Sequence, residues 1–406
     1  MTFETALTGL NAAAADLDVT GNNVANSGTV GFKYSRAEFA DIYATSNLGA
    51  SQNAIGQGVR LANVAQQFTQ GQFNFTGNNL DLGISGNGFF RLQDGSGQVL
   101  YSRAGAFQLD KNGNIVNSKG QQLTGYQVDS SGAVTNSVAP LQVNTGGVSP
   151  NATTSISINA NLKSTGTVPS VTPFDSTNPS SYNYSTSTTV YDSLGASHTD
   201  TLYFVKTSTA NQWQMYSQLD SGTPQGPTTV QFNSDGSLNY VGSSGNTSTS
   251  YSFTIPGANT LTVKNDLSQL TQFGTPYSVS QLTQDGYAAG QFSSMSVGSD
   301  GKLLARYTNG QSQVLGQVAL AQFQNPEKLQ AVGDTNWEET FDSGTAITAA
   351  PGSSGAGSIQ GGALEESNVD LTSQLVNMIT AQRNYQANAQ MIQTEKTVTQ
   401  DILNIR

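Results

Sequence analysis

The C-terminal stretch 365–406 carries the most regular pattern in the chain and constrains the fold most strongly. From Leu371 onward, mostly apolar residues recur at alternating steps of four and three, and neither Pro nor Gly occurs between Ala363 and Arg406. This spacing predicts a long helix with a coiled-coil seam. The seam positions are Leu371, Leu375, Met378, Gln382, Tyr385, Ala389, Ile392, Lys396, Thr399 and Leu403.

Two features are expected to mark the start of this helix. Ser367 and Asp370 have the spacing of a capping box, and Glu365 and Glu366 are predicted to lie beside the positive end of the helix dipole. From Asp370 onward the helix is roughly 50 Å long at about 1.5 Å per residue. Most helical stability in proteins comes from the packing of an apolar face, so this helix needs a long partner.

The N-terminal stretch repeats the same spacing over a shorter length. The helix is predicted to end near Thr20, because Gly21 and the two asparagines after it are poor helix formers. The apolar stripe consists of Phe3, Leu7, Leu10, Ala14, Leu17, Gly21 and Val24.

The two stripes allow two kinds of packing. They lie together either as a helical hairpin within one chain or between the subunits of an assembly. Because the N-terminal stripe is too short to cover the whole seam, the turns from about Ala389 to Leu403 are expected to face neighbouring subunits.

Composition argues against several classes of partner. Only 11% of the 406 residues are charged, with 27 acidic against 16 basic side chains, which disfavours nucleic acid and anionic membranes. No apolar stretch of about 18 residues is present, so membrane insertion is not expected. The chain has no cysteine for disulfides or thiol chemistry. The first basic residue is Lys33, so we expect no cleaved secretory signal and, if the chain is exported, another route.

The middle of the chain is predicted to be β-structure. Turn signals such as Asn87-Gly88 separate short apolar segments, and the same style resumes near Asn309-Gly310. Between them the composition shifts towards Ser, Thr and Pro, with strand candidates such as 155–161. The predicted order is an N-terminal helix (1–29), a connecting segment (30–70) with a Gly-rich loop at 47–58, a discontinuous β-domain (71–145 and 285–350), an inserted outer β-domain (146–284), a Gly/Ser linker (351–364) and a C-terminal helix (365–406).

Few residues are suited to catalysis or metal binding. The only histidine, His198, precedes Asp200 by two positions, but there is no G-x-S-x-G elbow and no second histidine for a metal site. Glu338 and Glu339 are the nearest approach to a carboxylate pair, yet neighbouring residues of a strand face opposite sides. We therefore predict no enzymatic activity and no catalytic, cofactor-binding or metal site.

Both ends of the chain carry recognisable motifs in a fixed order. Asn-Asn-Val-Ala-Asn at 22–26 leads into Gly-Phe-Lys at 31–33, and Asn-Asn-Leu-Asp-Leu-Gly-Ile follows at 78–84. Near the C-terminus, Ser-Asn-Val-Asp-Leu at 367–371 precedes Ala-Gln-Arg-Asn-Tyr-Gln-Ala-Asn-Ala at 381–389. These motifs resemble those of the bacterial flagellar axial proteins, the rod and hook family.

The resemblance implies a multi-domain protein with mainly β outer domains, whose N- and C-terminal α-helices form a coiled-coil-like inner core. It implies a subunit that assembles into a curved tube and serves as a flexible joint between motor and filament. The β-rich insertion favours the hook members over distal rod and other axial subunits. An alternative outside the family is a secreted all-β protein that acts on or binds carbohydrate.

The resemblance also implies where the chain acts and with what. Its partners are expected to be other copies of the chain, the distal rod, the hook cap, the hook–filament junction proteins and the flagellar export apparatus, with no nucleic acid and no membrane insertion. The location is expected to be the hook region outside the cell. Residues expected to pack within and between subunits are Leu7, Leu10, Ala14, Leu17, Val24, Leu371, Leu375, Met378, Ile379, Tyr385, Ala389 and Ile392.

Overall fold

Helices lie at the two ends of the chain, and β-strands form most of the structure between them. The structure is a computed structural model that describes residues 2–42, 56–129, 132–144 and 146–404, with only the backbone described at positions 2 and 403. The helices are α1 (Thr2–Ala25) and α2 (Leu371–Asn404). The predicted mainly β, multi-domain architecture with terminal helices is confirmed. Most of the predicted loop at 47–58, and the side chain of Leu403, lie outside the described residues.

The strands are numbered in chain order. The first ten are β1 (Ser35–Asp41), β2 (Val59–Gln66), β3 (Phe73–Phe75), β4 (Leu82–Ser85), β5 (Phe89–Gln93), β6 (Val99–Ser102), β7 (Gln108–Leu109), β8 (Ile115–Val116), β9 (Gln122–Val128) and β10 (Val134–Pro140). The next nine are β11 (Ser155–Asn161), β12 (Tyr184–Tyr191), β13 (Ser197–Lys206), β14 (Gln212–Leu219), β15 (Gln225–Phe232), β16 (Leu238–Val241), β17 (Ser248–Phe253), β18 (Leu261–Asp266) and β19 (Ser278–Gln284). The last nine are β20 (Phe292–Val297), β21 (Lys302–Tyr307), β22 (Ser312–Val318), β23 (Leu320–Gln322), β24 (Gln330–Gly333), β25 (Asn336–Glu338), β26 (Ile347–Ala349), β27 (Ser358–Gly361) and β28 (Ala363–Glu365).

The first of two compact units contains both helices and a large sheet. It comprises Met1–Asn144, Ser294–Arg306 and Ser312–Arg406. The main path of the sheet runs β20-β21-β22-β9-β5-β6-β25-β24, so strands from distant parts of the chain pair with one another. Leu92 and Leu123 are paired across β5 and β9, and both are fully buried in the core of this unit.

The second unit, Thr145–Ser293 with Tyr307–Gln311, contains two sheets. One is the antiparallel array β12-β13-β14-β15-β16, and the other has the order β17-β18-β11-β19. In β14 buried and half-buried residues alternate, which places Trp213 and Met215 in one apolar core with Ile156 of β11. The strand predicted at 155–161 is confirmed with those bounds.

Helix α1 continues past Thr20, where the prediction ended it, and stops at Ala25. The cause is Asn23, which is buried and whose carboxamide pairs with the backbone of Ser35 at 2.7 and 2.8 Å. The same carboxamide donates to Gln374 Oε1 at 3.1 Å. These tertiary hydrogen bonds outweigh the weak helix propensity of the Gly-Asn-Asn run.

The second half of the predicted Gly/Ser linker at 351–364 is instead part of the β-structure, while residues 351–357 form turns and irregular backbone. Strand β27 pairs with β4, and β28 pairs with β3. Backbone pairing thus holds a stretch whose composition is typical of a flexible linker.

The start of α2 also differs from the prediction. Glu365 ends β28 and does not lie in the first turn of the helix. The cap is Asp370, whose Oδ1 accepts the backbone N–H groups of Thr372 and Ser373 at 2.9 and 3.3 Å. Ser367 Oγ accepts only the nearby Val369 N–H at 3.3 Å. The predicted capping box is therefore replaced by a single aspartate cap.

Candidate assembly surface

The two terminal helices pack against each other in antiparallel order. Asn23 near the end of α1 meets Gln374 near the start of α2, at 3.1 Å. Gly9, earlier in α1, lies against Asn388, later in α2, so closely that an added Cβ would stand 2.6 Å from Asn388 Oδ1. The two contacts are separated by the same number of residues on α1 and on α2, so the register between the helices is constant over this length.

Small and polar side chains form the face on which the helices meet. On α1, the buried Ala6, Ala13 and Thr20 lie on the same side as Gly9 and Asn23 at about 3.6 residues per turn. On α2, the contact face contains Gln374, Ala381 and Asn388. Small side chains let two helix axes approach closely, and this contact buries little large apolar surface.

The predicted stripe is therefore displaced by one position from the observed contact face. The buried positions are Ala6 and Ala13 in place of Leu7 and Ala14, and Ala381 in place of Gln382. Of the predicted packing residues, Leu7, Leu371, Leu375, Ile379 and Tyr385 are exposed, whereas Leu10, Ala14, Leu17, Val24, Met378, Ala389 and Ile392 are half-buried.

The coverage of α2 by α1 also differs from the prediction. Ile392 and Glu395 line a cavity beside Phe3 near the start of α1, so the turns from Ala389 are not all uncovered. The reason is the antiparallel register: Gly9 lies against Asn388, so the residues before Gly9 at the start of α1 reach the turns of α2 beyond Ala389.

Most of the large apolar side chains that helix α2 exposes fall in two groups, and Val376, which is 59% exposed, points between the directions of these groups. We call Leu371, Leu375 and Ile379 the first stripe, and Met391, Val398 and Ile402 the second stripe; every member is between 47% and 65% exposed. At about 3.6 residues per turn, the two stripes point in directions roughly 160° apart. The second stripe was missed by the sequence analysis, although its steps of seven and four residues are also helical spacings.

A buried ion cluster lies where the terminal segments meet the β-structure of the first unit. Lys33 Nζ lies 2.6 Å from Glu365 Oε1, and both side chains are fully buried. Arg103 Nη1 lies 3.1 Å from Glu365 Oε2. Burial lowers the pKa of Lys33 and of Arg103, while the charge of Glu365 opposes that shift in both. Lys33 belongs to the Gly-Phe-Lys motif, but nothing in the sequence pattern pairs it with Glu365.

Backbone groups and one asparagine complete this junction. Gly71 N donates to Glu365 Oε1 at 2.9 Å, and Gly31 N donates to Glu365 O at 2.8 Å. Asn368 Oδ1 accepts Tyr34 N at 2.8 Å, and its Nδ2 donates to Gln67 O at 2.8 Å. We call Lys33, Arg103, Glu365 and Asn368 the junction cluster.

The residues considered for chemistry lie elsewhere and make local contacts. His198 Nδ1 lies 2.7 Å from Asp220 Oδ2, and the neighbouring Asp200 is bonded to Ser217 Oγ at 2.6 Å. Glu338 accepts Gln98 Nε2 at 2.7 Å. Across the described residues, no group of three or more His, Cys, Asp or Glu side chains is placed to hold a metal ion. Neither helix in the described part of the chain has the length and hydropathy needed to cross a membrane.

Models of flagellar families match most of the chain in segments. "Flagella basal body rod protein" matches residues 3–33, and "Flagellar basal body rod FlgEFG protein C-terminal" matches 360–405. Between these ends, "Flagellar hook protein FlgE/F/G D1 domain" matches 83–168, and "Flagellar basal body protein FlaE D2 domain" matches 161–287.

Whole proteins match over the full length. The flagellar hook protein FlgE of Escherichia coli (strain K12) is 42% identical over 418 residues, with 100% of both chains covered. The protein of that name from Borreliella burgdorferi is 31% identical over 442 residues, with 98% of both covered. A crystal structure of the Helicobacter pylori flagellar hook protein FlgE2 shares the fold, with a TM-score of 0.53 and 14% identity over 72% of this chain and 99% of that one.

Proposed function

Because the chain belongs to the flagellar hook protein FlgE family and is a subunit of the flagellar hook, we propose that it polymerises through the large apolar side chains that its terminal helices expose. In this proposal α1 and α2 form a coiled-coil-like inner core of a curved tube, and the β-structure forms the outer part. The role is structural, and no step requires a catalytic group or a cofactor.

The observation that carries the proposal is the distribution of apolar residues on the helix pair. The contact between α1 and α2 uses Ala, Gly, Thr, Asn and Gln, whereas Leu7, Leu371 and Leu375 are exposed. Transfer of apolar surface out of water stabilises contacts by about 25 cal/mol per Å². A helix pair that exposes leucines at these positions is therefore suited to pack against further helices.

The directions of the two stripes on α2 support contacts with more than one neighbour. One flat neighbouring surface cannot cover side chains that point roughly 160° apart on the same helix. We therefore assign the first stripe to one neighbouring subunit and the second stripe to another. Tyr385, Ala389 and Met378 lie between the first stripe and the contact face, where they would widen the contact of the first stripe, and Ile392 lies in line with the contact face, near Phe3 of α1.

The remaining partners and the route of export follow from the family resemblance. The place of the protein is the hook, outside the cell. We infer that the polymer contacts the distal rod, the hook cap and the hook–filament junction proteins, and that the subunit passes through the flagellar export apparatus without a cleaved signal. With only 11% charged residues, the outer surfaces would make wet polar contacts that can slide as the tube bends.

The first prediction tests the exposed leucine surface. The double variant Leu375→Ser/Ile379→Ser removes two members of the first stripe, neither of which is needed for the α1–α2 contact. We expect loss of polymerisation, because removing a side chain that is fully buried between subunits weakens every such subunit contact by about 1.5 to 3 kcal/mol. The measurement is electron microscopy and sedimentation of concentrated full-length protein.

A matched control changes exposed polar positions on the same helix. The variant Gln386→Ala/Gln390→Ala alters no apolar stripe, and its polymers are expected to equal those of the wild type in yield. The proposal fails if Leu375→Ser/Ile379→Ser forms tubes at the wild-type protein concentration.

A further inference from the structure

Segments that are far apart in the chain converge at the junction cluster. The turn after α1 contributes Gly31 and Lys33, and the strand before α2 contributes Glu365. The β-structure contributes Gly71 and Arg103. Thus both terminal helices are attached to the sheet of the first unit at one place.

Close backbone approach makes this junction tight. Gly31 has a positive φ of 71°, and an added Cβ would stand 2.4 Å from Ala104 N. At Gly71, an added Cβ would stand 2.0 Å from Glu366 O. Only glycine fits at either position, so the terminal segments are seated against the backbone of the β-structure without intervening side chains.

The contacts at the junction are directional and leave little freedom to slide. Glu365 binds Lys33 through one carboxylate oxygen and Arg103 through the other. Lys33 Nζ also donates to Thr69 O at 2.7 Å, and Arg103 Nη2 donates to Gly86 O at 2.9 Å. A small displacement of the terminal segments would leave buried charges unpaired, which is costly in a low-dielectric interior.

The contact between α1 and α2 has a different character. Its small side chains make van der Waals contacts, which are less directional than buried ion pairs, and in the part of the chain that the structure describes few side-chain hydrogen bonds cross it. Among the described residues, the side-chain hydrogen bond from Asn23 to Gln374 joins the helices at the end nearest the junction. The restraint on helix direction is therefore concentrated at the junction.

We propose that Lys33, Arg103, Glu365 and Asn368 are positioning residues that fix the direction in which the two terminal helices leave the first unit. In the polymer this junction is rigid, so bending takes place at contacts that lack buried ion pairs. This inference rests on the proposed function, because it gives the junction cluster a role in setting the curvature of the tube.

The test replaces the ion pair while keeping the net charge of the cluster. Glu365→Gln alone leaves two buried cations without a counterion, and we expect the terminal segments to detach and polymers to be lost. In Lys33→Met/Glu365→Gln the net charge of the cluster equals that of the wild type, because one cation and one carboxylate are removed together. Arg103 keeps its hydrogen bonds to Ile84 O and Gly86 O, and the carboxamide that replaces the Glu365 carboxylate still has an oxygen to accept the Gly71 N–H. We expect this double variant to polymerise but to lose the single curvature of wild-type tubes in electron micrographs.

The control is an ion pair of the same first unit that lies on the surface. Arg36 and Glu38 are 2.9 Å apart and exposed, so Arg36→Gln/Glu38→Gln is expected to give tubes of wild-type curvature. Wild-type curvature in Lys33→Met/Glu365→Gln would overturn the inference, and so would failure of that variant to polymerise when its β-structure is folded. Neither result bears on the exposed leucines, whose role is decided by Leu375→Ser/Ile379→Ser.

A measurement on the wild-type polymer does not depend on variant folding. The amides of Gly31 and Gly71 donate to Glu365, and we expect their hydrogen exchange to be as slow as that of strand β5. Glu365→Gln, if it folds, should speed exchange at Gly71 roughly tenfold, as expected when a hydrogen bond to a charged acceptor is replaced by a weaker one to a neutral acceptor. Exchange at these amides in the wild-type polymer as fast as at the exposed end of α2 would contradict the rigid junction.

Discussion

The helix pair and the second unit distribute apolar residues in opposite ways. In the second unit, Trp213, Phe204 and Phe232 are buried in one core, and the sheets expose mainly Ser, Thr, Asn and Gln. In the helix pair, small and polar residues are buried, and Leu375 and Ile402 are exposed. The second unit therefore has a complete core within one chain, whereas the helix pair leaves large apolar side chains exposed, which we propose are covered by neighbouring subunits.

This difference separates two kinds of stability. A substitution in the core of the second unit changes the free energy of unfolding of one chain. Under the proposed function, a substitution on the exposed stripes of α2 is expected to change the concentration at which chains associate. The contact face of the helices lies between these cases, because it is buried within one chain but contains little apolar surface.

The largest effect on a single chain is expected for Trp213→Ala. Trp213 is fully buried, donates to Gln272 Oε1 at 3.1 Å and lies under Lys206 Nζ at 5.0 Å. Its removal should lower the free energy of unfolding of the second unit by about 3 to 5 kcal/mol. Urea unfolding of the full chain, followed by circular dichroism, measures this loss.

The matched variant in the helix pair is Leu375→Ala. Because Leu375 is 49% exposed, the free energy of unfolding of the unassembled chain should change by less than about 0.5 kcal/mol. Equal losses of unfolding free energy in Trp213→Ala and Leu375→Ala would show that the helix pair has an apolar core of its own. The contrast drawn between the helix pair and the second unit would then be wrong.

An intermediate effect is expected when the contact face is overpacked. Ala381 is fully buried on α2, so Ala381→Leu should push the helices apart and cost about 1 to 3 kcal/mol. The helical circular dichroism signal should then be lost at a lower temperature. Ala387→Leu introduces the same side chain at an exposed position of the same helix, and its melting temperature should equal that of the wild type. If both variants melt alike, the helices do not meet on the face described above.

The smallest effect is a pH dependence of the second unit. Burial raises the pKa of Asp200 to about 6, and the hydrogen bond with Asp220 raises the pKa of His198. Both pKa values are higher in the folded state than the unfolded values of about 3.9 and 6.5. Their stabilising contributions are therefore complete below those unfolded values, and they are lost as pH rises through the folded-state pKa values.

The check is the thermal midpoint of the second unit between about pH 5 and pH 8. We expect the midpoint to fall as pH rises, with Asp200→Asn reducing the change near pH 6 and His198→Gln reducing it at higher pH. A midpoint that rises with pH across this interval would contradict the assignment.

Much of the architecture was predictable because it depends on local patterns. The alternation of apolar residues at 155–161 predicted a strand with the observed bounds, and the absence of Pro and Gly after Ala363 predicted an uninterrupted α2. The end of α1 and the linker at 351–364 were predicted wrongly. In α1, hydrogen bonds to Asn23 outweigh the weak helix propensity of the residues after Thr20. In the linker, pairing of β27 with β4 outweighs a composition that favours a flexible segment.

The candidate assembly surface was likewise predictable only in part from the sequence. Spacing alone identified helices with apolar stripes, because apolar residues recur with the period of the helix wherever one face is to be covered. Spacing does not state which face meets which partner, and here the contact within the chain lies one residue away from the stripes, on Ala381 and its neighbours. The junction of Lys33 with Glu365 joins residues more than three hundred positions apart, so it arises only when the chain folds and buried charges must be paired.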